Sequence, residues 1–287
     1  MNFRTDLAME AAENGGFLPP EDVEQQEKRQ GSTRITRLHI RTARGEQAVG
    51  KPCGRYITLT LPPLSDDERR LAEEAKCVGE ELAALLPAAG TVLVVGLGNR
   101  SVTPDTLGPA TAARVLATRH IRGEFARAAG LTDLRPTAVL TPGVLGQTGT
   151  ESSEIVRGVC SEVKPSAVIV VDALAARSVQ RLGCTVQLCD TGISPGSGVG
   201  NNRQPLNEEV LGVPVVGIGI PTVVDAATLV REMTGQEPAA DGEAMMVTPR
   251  EIDTVIGRAA RLLALAINGA LQPAYAPADL TAIAGEM

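Results

Sequence analysis

Two apolar runs that each lead to an aspartate constrain the fold of this chain more than any other feature. Residues 91–95 are followed by a glycine-rich turn and then by Asp105, and residues 168–171 are followed directly by Asp172. In an open α/β sheet, ligands and chemistry collect beyond the carboxyl ends of the strands. Two close carboxyl groups do not both ionise readily, so one is poised as an acid and the other as a base.

The alternation of strand and helix patterns predicts the fold class. It indicates an α/β protein with a twisted, largely parallel sheet, helices on both faces and a small N-terminal region. Strands are predicted near 35–40, 56–61, 91–96, 137–141, 167–171, 184–188 and 213–219. Helices are predicted from a capping box at 65–68 to about 86, and at 107–120, 150–163 and 250–269.

Two stretches depart from this pattern. Residues 1–34 are acidic and polar with Gly-Gly and Pro-Pro breakers, which is typical of a mobile or loosely docked leader. Residues 222–247 contain turn signals at Gly235, Pro238 and Asp241-Gly242, which indicate a surface excursion.

Composition excludes several classes of protein. The net charge of -7 provides no overall attraction for nucleic acid or anionic lipid. No apolar stretch approaches the roughly 18 residues that a membrane span needs. The five cysteines form no CxxC pair, so we expect mostly buried thiols in a reducing cytoplasm.

The sequence lacks complete versions of the common cofactor-binding and nucleophile motifs. After Gly96 and Gly98 the third glycine of a dinucleotide fingerprint is replaced by Ser101, and no acid for a ribose follows about 20 residues later. No lysine follows either glycine-rich loop, which excludes a P-loop. His39 and His120 are the only histidines and lie in no zinc motif, and Ser197 lacks a nucleophile elbow. We therefore expect no cofactor and no metal.

The remaining candidates surround the two aspartates. Backbone N–H groups of one or other glycine-rich turn suit a developing oxyanion. One arginine follows shortly after Asp172 and another closes the second glycine-rich turn. Each residue also has an ordinary explanation, such as an N-cap for Asp105 or a tight turn for the glycines. The candidates are Gly96, Gly98, Asn99, Gly196, Gly198, Gly200, Arg177 and Arg203.

The N-terminus adds an independent signal. Asp6, Leu7 and Ala8 place an acid, an apolar residue and a small residue in order. This is either a frayed chain start or a cleavage site that the protein itself recognises.

Ordered sequence blocks over most of the chain resemble the germination protease family of spore-forming bacteria. They are residues 4–8, 95–99, 103–109, 118–120, 142–149, 172–178, 190–201 and 219–226. The resemblance implies an endopeptidase that degrades the small acid-soluble proteins coating spore DNA. It also implies a zymogen, homotetrameric in the forespore cytoplasm, that removes its own propeptide.

The resemblance further implies cleavage after Glu or Asp, before an apolar residue followed by Ala. It would make residues 1–6 the propeptide, cut between Asp6 and Leu7, and residues 7–287 one peptidase domain. The family favours an acid three residues before the one cut after, where this chain has Phe3. The implied fold is shared with hydrogenase maturation proteases, in which acids matching Asp105 and Asp172 bind a metal together with a histidine.

Our hypothesis is that Asp105 and Asp172 share a proton and activate water at the scissile carbonyl. Arg177 or Arg203 would receive the acidic residue before the cut. Three alternatives remain. They are a metal-dependent protease on the same fold, a binding protein that sequesters the spore proteins, and, from sheet pattern alone, a nucleotide-binding oxidoreductase.

Overall fold

The apolar runs of the chain join into one mixed sheet. A computed structural model describes residues 5–14, 19–66, 69–121, 123–128, 130–196, 203–235, 245–276 and 280. Within these ranges the strands are β1 (Val23–Gln30), β2 (Thr33–Ile40), β3 (Gly54–Thr60), β4 (Val92–Gly96), β5 (Thr137–Leu140), β6 (Ala167–Ala176), β7 (Thr185–Cys189), β8 (Val215–Asp225) and β9 (Met246–Val247).

Helices connect these strands. They are α1 (Ala8–Asn14), α2 (Ala43–Val49), α3 (Leu71–Ala83), α4 (Leu107–Ala112), α5 (Gly123–Ala128), α6 (Leu145–Thr148), α7 (Ser152–Val163), α8 (Glu208–Leu211), α9 (Ala226–Thr234) and α10 (Ile252–Leu271). Two short 3-10 helices lie at Thr103–Asp105 and Val179–Arg181.

The strand order is β1-β2-β3-β7-β8-β6-β4-β5, with β9 paired to β8. Strands β8, β6, β4 and β5 run parallel to one another. Strands β7, β3, β2 and β1 extend the sheet with antiparallel pairs. The parallel part therefore ends in a common edge, at which the two predicted aspartates meet.

Alternate residues of the central strands face opposite sides of the sheet. Val92, Val94, Ile169 and Val171 share a core with α3, α4 and α10. Leu93, Val95, Val168 and Val170 share a second core with α7 and α8. The predicted α/β class, with a largely parallel sheet and helices on both faces, is confirmed.

The interpretation of residues 1–34 as a mobile leader is wrong for much of that stretch. Residues 8–14 form α1, and β1 pairs with β2 along its whole length. Strand β1 lies at the edge of the sheet and its side chains are mostly exposed. Because such a strand is held by backbone pairing, it carries no apolar alternation that would reveal it.

Several predicted boundaries also move. Strand β6 continues to Ala176, so Asp172 lies inside it. Helix α4 ends at Ala112, well before residue 120. Helix α3 begins only at Leu71 with Arg70 at its N-cap, so the predicted capping box at 65–68 does not start the helix. Residues 67–68 of that box lie outside the described residues.

The stretch 222–247 begins with regular structure. It contains the end of β8, all of α9, and Gly235 as the left-handed cap of that helix. The predicted turns at Pro238 and Asp241-Gly242 lie outside the described residues.

The expectation that no segment approaches a membrane span needs one correction. Helix α10 is long and apolar enough to cross a membrane by length and composition. It is mostly buried, and it packs against α3 and α4 in the larger core. A core helix meets the same criterion, so its composition is explained by burial.

Candidate active site

A tight turn positions Asp105 after β4. The turn begins with the Leu97 N–H donating to the Val171 carbonyl (2.8 Å) and ends in the 3-10 helix that contains Asp105. The Asn99 N–H donates to Asp105 Oδ2 (2.8 Å). Gly98 has φ +122°, and a Cβ there would lie 1.9 Å from the Asp105 carbonyl oxygen. Only glycine therefore lets the turn close against Asp105.

Strand β6 supplies Asp172. The pairing of β6 with β4 ends at Gly96 and Val171, so Asp172 is the first residue beyond it. On the other side Asp172 lies opposite Gly219 of β8. Only 6% of Asp172 is exposed, and its Oδ1 accepts the N–H of Ala173 (2.9 Å).

The two carboxyl groups line one cavity of about 490 Å³. Four other predicted residues line the same cavity, namely Asp6, Gly98, Gly196 and Arg203. Gly96 is instead buried, where a Cβ would lie 2.2 Å from the Gly108 carbonyl oxygen. Gly198 and Gly200 lie outside the described residues.

Burial and mutual repulsion act differently on the two acids. Desolvation, and then the charges of Asp105 and Asp6, raise the pKa of Asp172 well above its usual value. Desolvation also raises the pKa of Asp105, but the Asn99 N–H and the charge of Arg203 act in the opposite direction. The pair is thus arranged to hold a proton, preferentially on Asp172.

The N-terminal segment lies across this site. The Asp6 N–H donates to the Ala175 carbonyl (2.9 Å), and Asp6 Oδ2 accepts the Ala175 N–H (2.8 Å). The side chain of Gln187 donates to the Asp6 carbonyl (2.9 Å) and accepts the N–H of Ala8 (2.6 Å). The Lys51 ammonium donates to the Thr5 carbonyl (3.2 Å).

Leu7 and Ala8, the next two side chains of this segment, are fully buried. Leu7 packs in a small apolar cluster with Leu174, Ala176 and Leu182. Ala8 belongs to a different cluster, which includes Tyr56. The predicted cleavage sequence is therefore held against the sheet at the start of α1, which begins at Ala8.

Arg177 lies away from the aspartate pair. Its backbone N–H donates to Glu10 (2.7 Å) and its guanidinium to Glu13 (2.9 Å), both on α1. Glu10 and Glu13 come after the predicted cut in the chain. The sequence-based hypothesis had instead paired Arg177 with the acidic residue before the cut. Arg181 also holds α1 in place, because its guanidinium forms ion pairs with Glu10 and Glu13.

Sequence reasoning missed Gln187. The only available signal is a lone amide inside the apolar strand Thr185–Cys189, since a buried polar side chain needs a partner.

The described part of the chain contains no group of three His, Cys, Asp or Glu side chains placed to hold a metal ion. Four of the five cysteines are buried, as expected, and Cys53 is exposed.

Comparison with known proteins identifies the family. Residues 7–235 match the family model described as germination protease. The chain is 38% identical to the germination protease of Clostridium tetani, over 98% of both chains. It is 41% identical to that of Caldanaerobacter subterraneus, over 95% of both. It is also 41% identical to that of Bacillus subtilis, over 79% of this chain and 64% of the relative.

A solved structure with some similarity is the [NiFe] hydrogenase maturation protease HycI from Thermococcus kodakarensis KOD1. It is 20% identical, covers 65% of this chain and 98% of its own, and has a TM-score of 0.37. The family match over most of the chain and the near-complete alignment with curated relatives are decisive. This chain belongs to the germination protease family and is a spore germination endopeptidase.

Proposed function

We propose that this endopeptidase is a zymogen that cuts its own Asp6–Leu7 bond and then degrades small acid-soluble spore proteins. The cut would follow Asp or Glu and precede an apolar residue and Ala. One observation carries the proposal, which is that Asp6 lines the same cavity as Asp105 and Asp172, with Leu7 buried directly after it. The bound segment at residues 5–8, called the leader below, blocks the cleft, as a zymogen requires.

The binding of this segment supports the proposed sequence preference. The carboxylate of Asp6 accepts a backbone N–H from Ala175, which suits an acidic residue. Leu7 fills an apolar recess beside Leu174. Ala8 is fully buried, so a longer side chain in its place requires rearrangement.

The two aspartates then have distinct roles. Burial raises the pKa of Asp105, but the Asn99 N–H and Arg203 oppose this rise, so Asp105 is the member of the pair that ionises first and takes a proton from a water molecule that attacks the Asp6 carbonyl carbon. The carbonyl electrons move to its oxygen. When they return, the C–N bond to Leu7 breaks and protonated Asp172 gives its proton to the leaving nitrogen. One water is consumed, and the products are a carboxyl group and an amine.

Oxyanion donors are part of the proposal as well. Asn99 already gives its N–H to Asp105. Within the described residues the Gly98 N–H makes no hydrogen bond, and both Gly98 and Gly196 line the cavity. We retain these two with Gly198 and Gly200 as candidate donors.

The arginines bind elsewhere along the substrate. We assign Arg203 to Asp105 and Arg177 to acidic residues after the cut, because Glu10 and Glu13 occupy that place. A homotetramer in the cytoplasm of the spore core also belongs to the proposal, on the family resemblance. Cofactors, nucleic acid and membrane have no part in it.

The test is the intact mass of the purified full chain during incubation at mildly acidic and neutral pH. Wild type is expected to lose residues 1–6, whereas Asp105→Asn and Asp172→Asn are expected to keep them. Asp133→Asn changes an exposed acid outside the cavity and serves as the matched control. An added small acid-soluble spore protein should be cut by wild type and by the control only.

Other outcomes would select the rival functions. Loss of cleavage with a chelator, restored by one divalent metal, would replace the aspartate mechanism by a metal-dependent one. Binding of the spore protein without cleavage would indicate a sequestering protein. Normal cleavage by both aspartate variants would overturn the proposed mechanism.

A further inference from the structure

We propose that Gln187 supplies an oxyanion donor, in addition to the glycine N–H groups, and a backbone clamp for the scissile peptide. This inference rests on the proposed cut between Asp6 and Leu7. Its basis is the pair of hydrogen bonds that the Gln187 side chain makes on either side of Leu7.

The sheet brings Gln187 level with the aspartate pair. Gln187 of β7 lies opposite Gly219 of β8, and Gly219 lies opposite Asp172 of β6. Residues level with one another on adjacent strands point to the same face. Gly219 has no side chain, and a Cβ there would lie 2.4 Å from the Asp172 carbonyl oxygen and 2.7 Å from Leu174 Cγ, so only glycine fits between the two strands. Gln187 and Asp172 both line the recess that holds Asp6.

The burial of Gln187 is unexplained by the rest of the fold. The residue is 6% exposed, and its neighbours Val186 and Leu188 point into the apolar core on the opposite face. Both hydrogen bonds of its side chain go to the leader, within the residues that the structure describes. A buried amide is disfavoured unless it is hydrogen-bonded. The partner of Gln187 is therefore a bound peptide.

The two bonds also fix what the amide does. The Asp6 carbonyl can only accept and the Ala8 N–H can only donate, so Nε2 must face Asp6 and Oε1 must face Ala8. Attack by water places negative charge on the Asp6 oxygen, which Nε2 already meets at 2.9 Å. A preorganised amide donor at this atom stabilises the transition state. Because Gln187 hydrogen-bonds only to backbone atoms of the peptide, it would bind substrates of any sequence in the same way.

The experiment compares three full-length variants. Gln187→Glu keeps an acceptor and removes the amide donor, and Gln187→Met removes both. Gln272→Glu is the matched control, because Gln272 is 1% exposed and its amide clasps the Arg135 backbone through one accepted and one donated hydrogen bond. The readouts are the first-order rate of self-cleavage and the melting temperature.

Both Gln187 variants are expected to cleave about 10²–10³-fold more slowly than wild type, as for loss of one oxyanion donor. The control should lose comparable thermal stability and retain its rate. Self-cleavage of folded Gln187→Met within threefold of wild type would overturn this inference alone. No cleavage by wild type would overturn the proposed function together with it.

A second probe keeps the clamp testable if Gln187→Met does not fold. It is a synthetic peptide of residues 1–14 with an ester in place of the amide between Leu7 and Ala8, which removes the N–H that Oε1 accepts. Wild type is expected to cut this peptide after Asp6 at least tenfold more slowly than the all-amide peptide. Equal rates with wild type would overturn the clamp.

Discussion

Asp172 holds a carboxyl group where solvent barely reaches it. It is 6% exposed and faces the charges of Asp105 and Asp6, and only the Ala173 N–H favours its ionised form. A purely structural position would not retain such a group, because burial of a charge without a partner is unfavourable. The proposed role of Asp172 accounts for this position, because a proton held beside the Asp6–Leu7 peptide is useful there although it costs stability.

The raised pKa of Asp172 predicts that the stability of the folded chain depends on pH. The folded-state pKa of Asp172 is raised, so between the ordinary carboxyl pKa and the raised one the folded chain binds the extra proton. The free energy of unfolding therefore falls as pH rises through that interval. Asp172→Asn should melt at a higher temperature than wild type at neutral pH, and the difference should shrink towards pH 4.

Thermal melts of both proteins across that range check this prediction. Asp133→Asn, at an exposed position, should show no such pH-dependent gain. A constant difference between Asp172→Asn and wild type at all pH values would contradict a raised pKa at Asp172.

At the residue scale, local signals in the sequence picked out the two aspartates. Asp105 and Asp172 stand out because each comes after an apolar run, and the structure brings both to one cavity, while their catalytic roles stay predictions. Gln187 was missed because its partners, Asp6 and Ala8, are about 180 residues away in the chain. The contacts of Arg177 with α1 could not be predicted for the same reason, since its partner Glu13 is distant in sequence.

At the scale of elements, α1 depends on its anchor. A seven-residue helix is unstable alone. Glu10 is 1% exposed and accepts the backbone N–H groups of Arg177 and Ser178 and the hydroxyl of Thr5. Glu13 instead makes partly exposed ion pairs. Glu10 is thus the residue that fixes the leader against the end of β6.

We expect Glu10→Ala to weaken the docking of residues 5–14 by about 2–3 kcal/mol, since charged hydrogen bonds at a buried site are lost. Glu13→Ala should cost no more than about 1 kcal/mol, as is usual for surface ion pairs. Hydrogen exchange of the segment measures both. Self-cleavage should slow in Glu10→Ala only, and equal exchange in the two variants would contradict the anchor.

Two of the elements that the sequence did not predict, β1 and α1, carry little apolar periodicity of their own. Strand β1 is held by backbone pairing with the neighbouring strand β2, and helix α1 is held by hydrogen bonds to the distant chain just after β6. Strands β4 and β6 were predicted because both of their faces are buried, which requires a continuous apolar run.

At the scale of the whole molecule, the chain holds its proposed cleavage sequence against its own proposed site. Residues 5–8 contact β6 and β7 of the same chain through Ala175 and Gln187. No encounter between two molecules is needed to place the bond. Self-cleavage should therefore be first order, with a rate constant that is independent of protein concentration.

A mixing experiment separates this from cleavage between molecules. A tagged Asp105→Asn chain is incubated with an equal amount of active wild-type chain over a hundredfold range of concentration. The wild type should lose residues 1–6 at one rate throughout, while the tagged chain stays intact, because its leader is clasped in an inactive site. Within a homotetramer the same result is expected, since each leader is bound by its own subunit. Processing of the tagged chain at the wild-type rate would show that leaders exchange between sites, and the bound segment would then represent a state that must open before the cut.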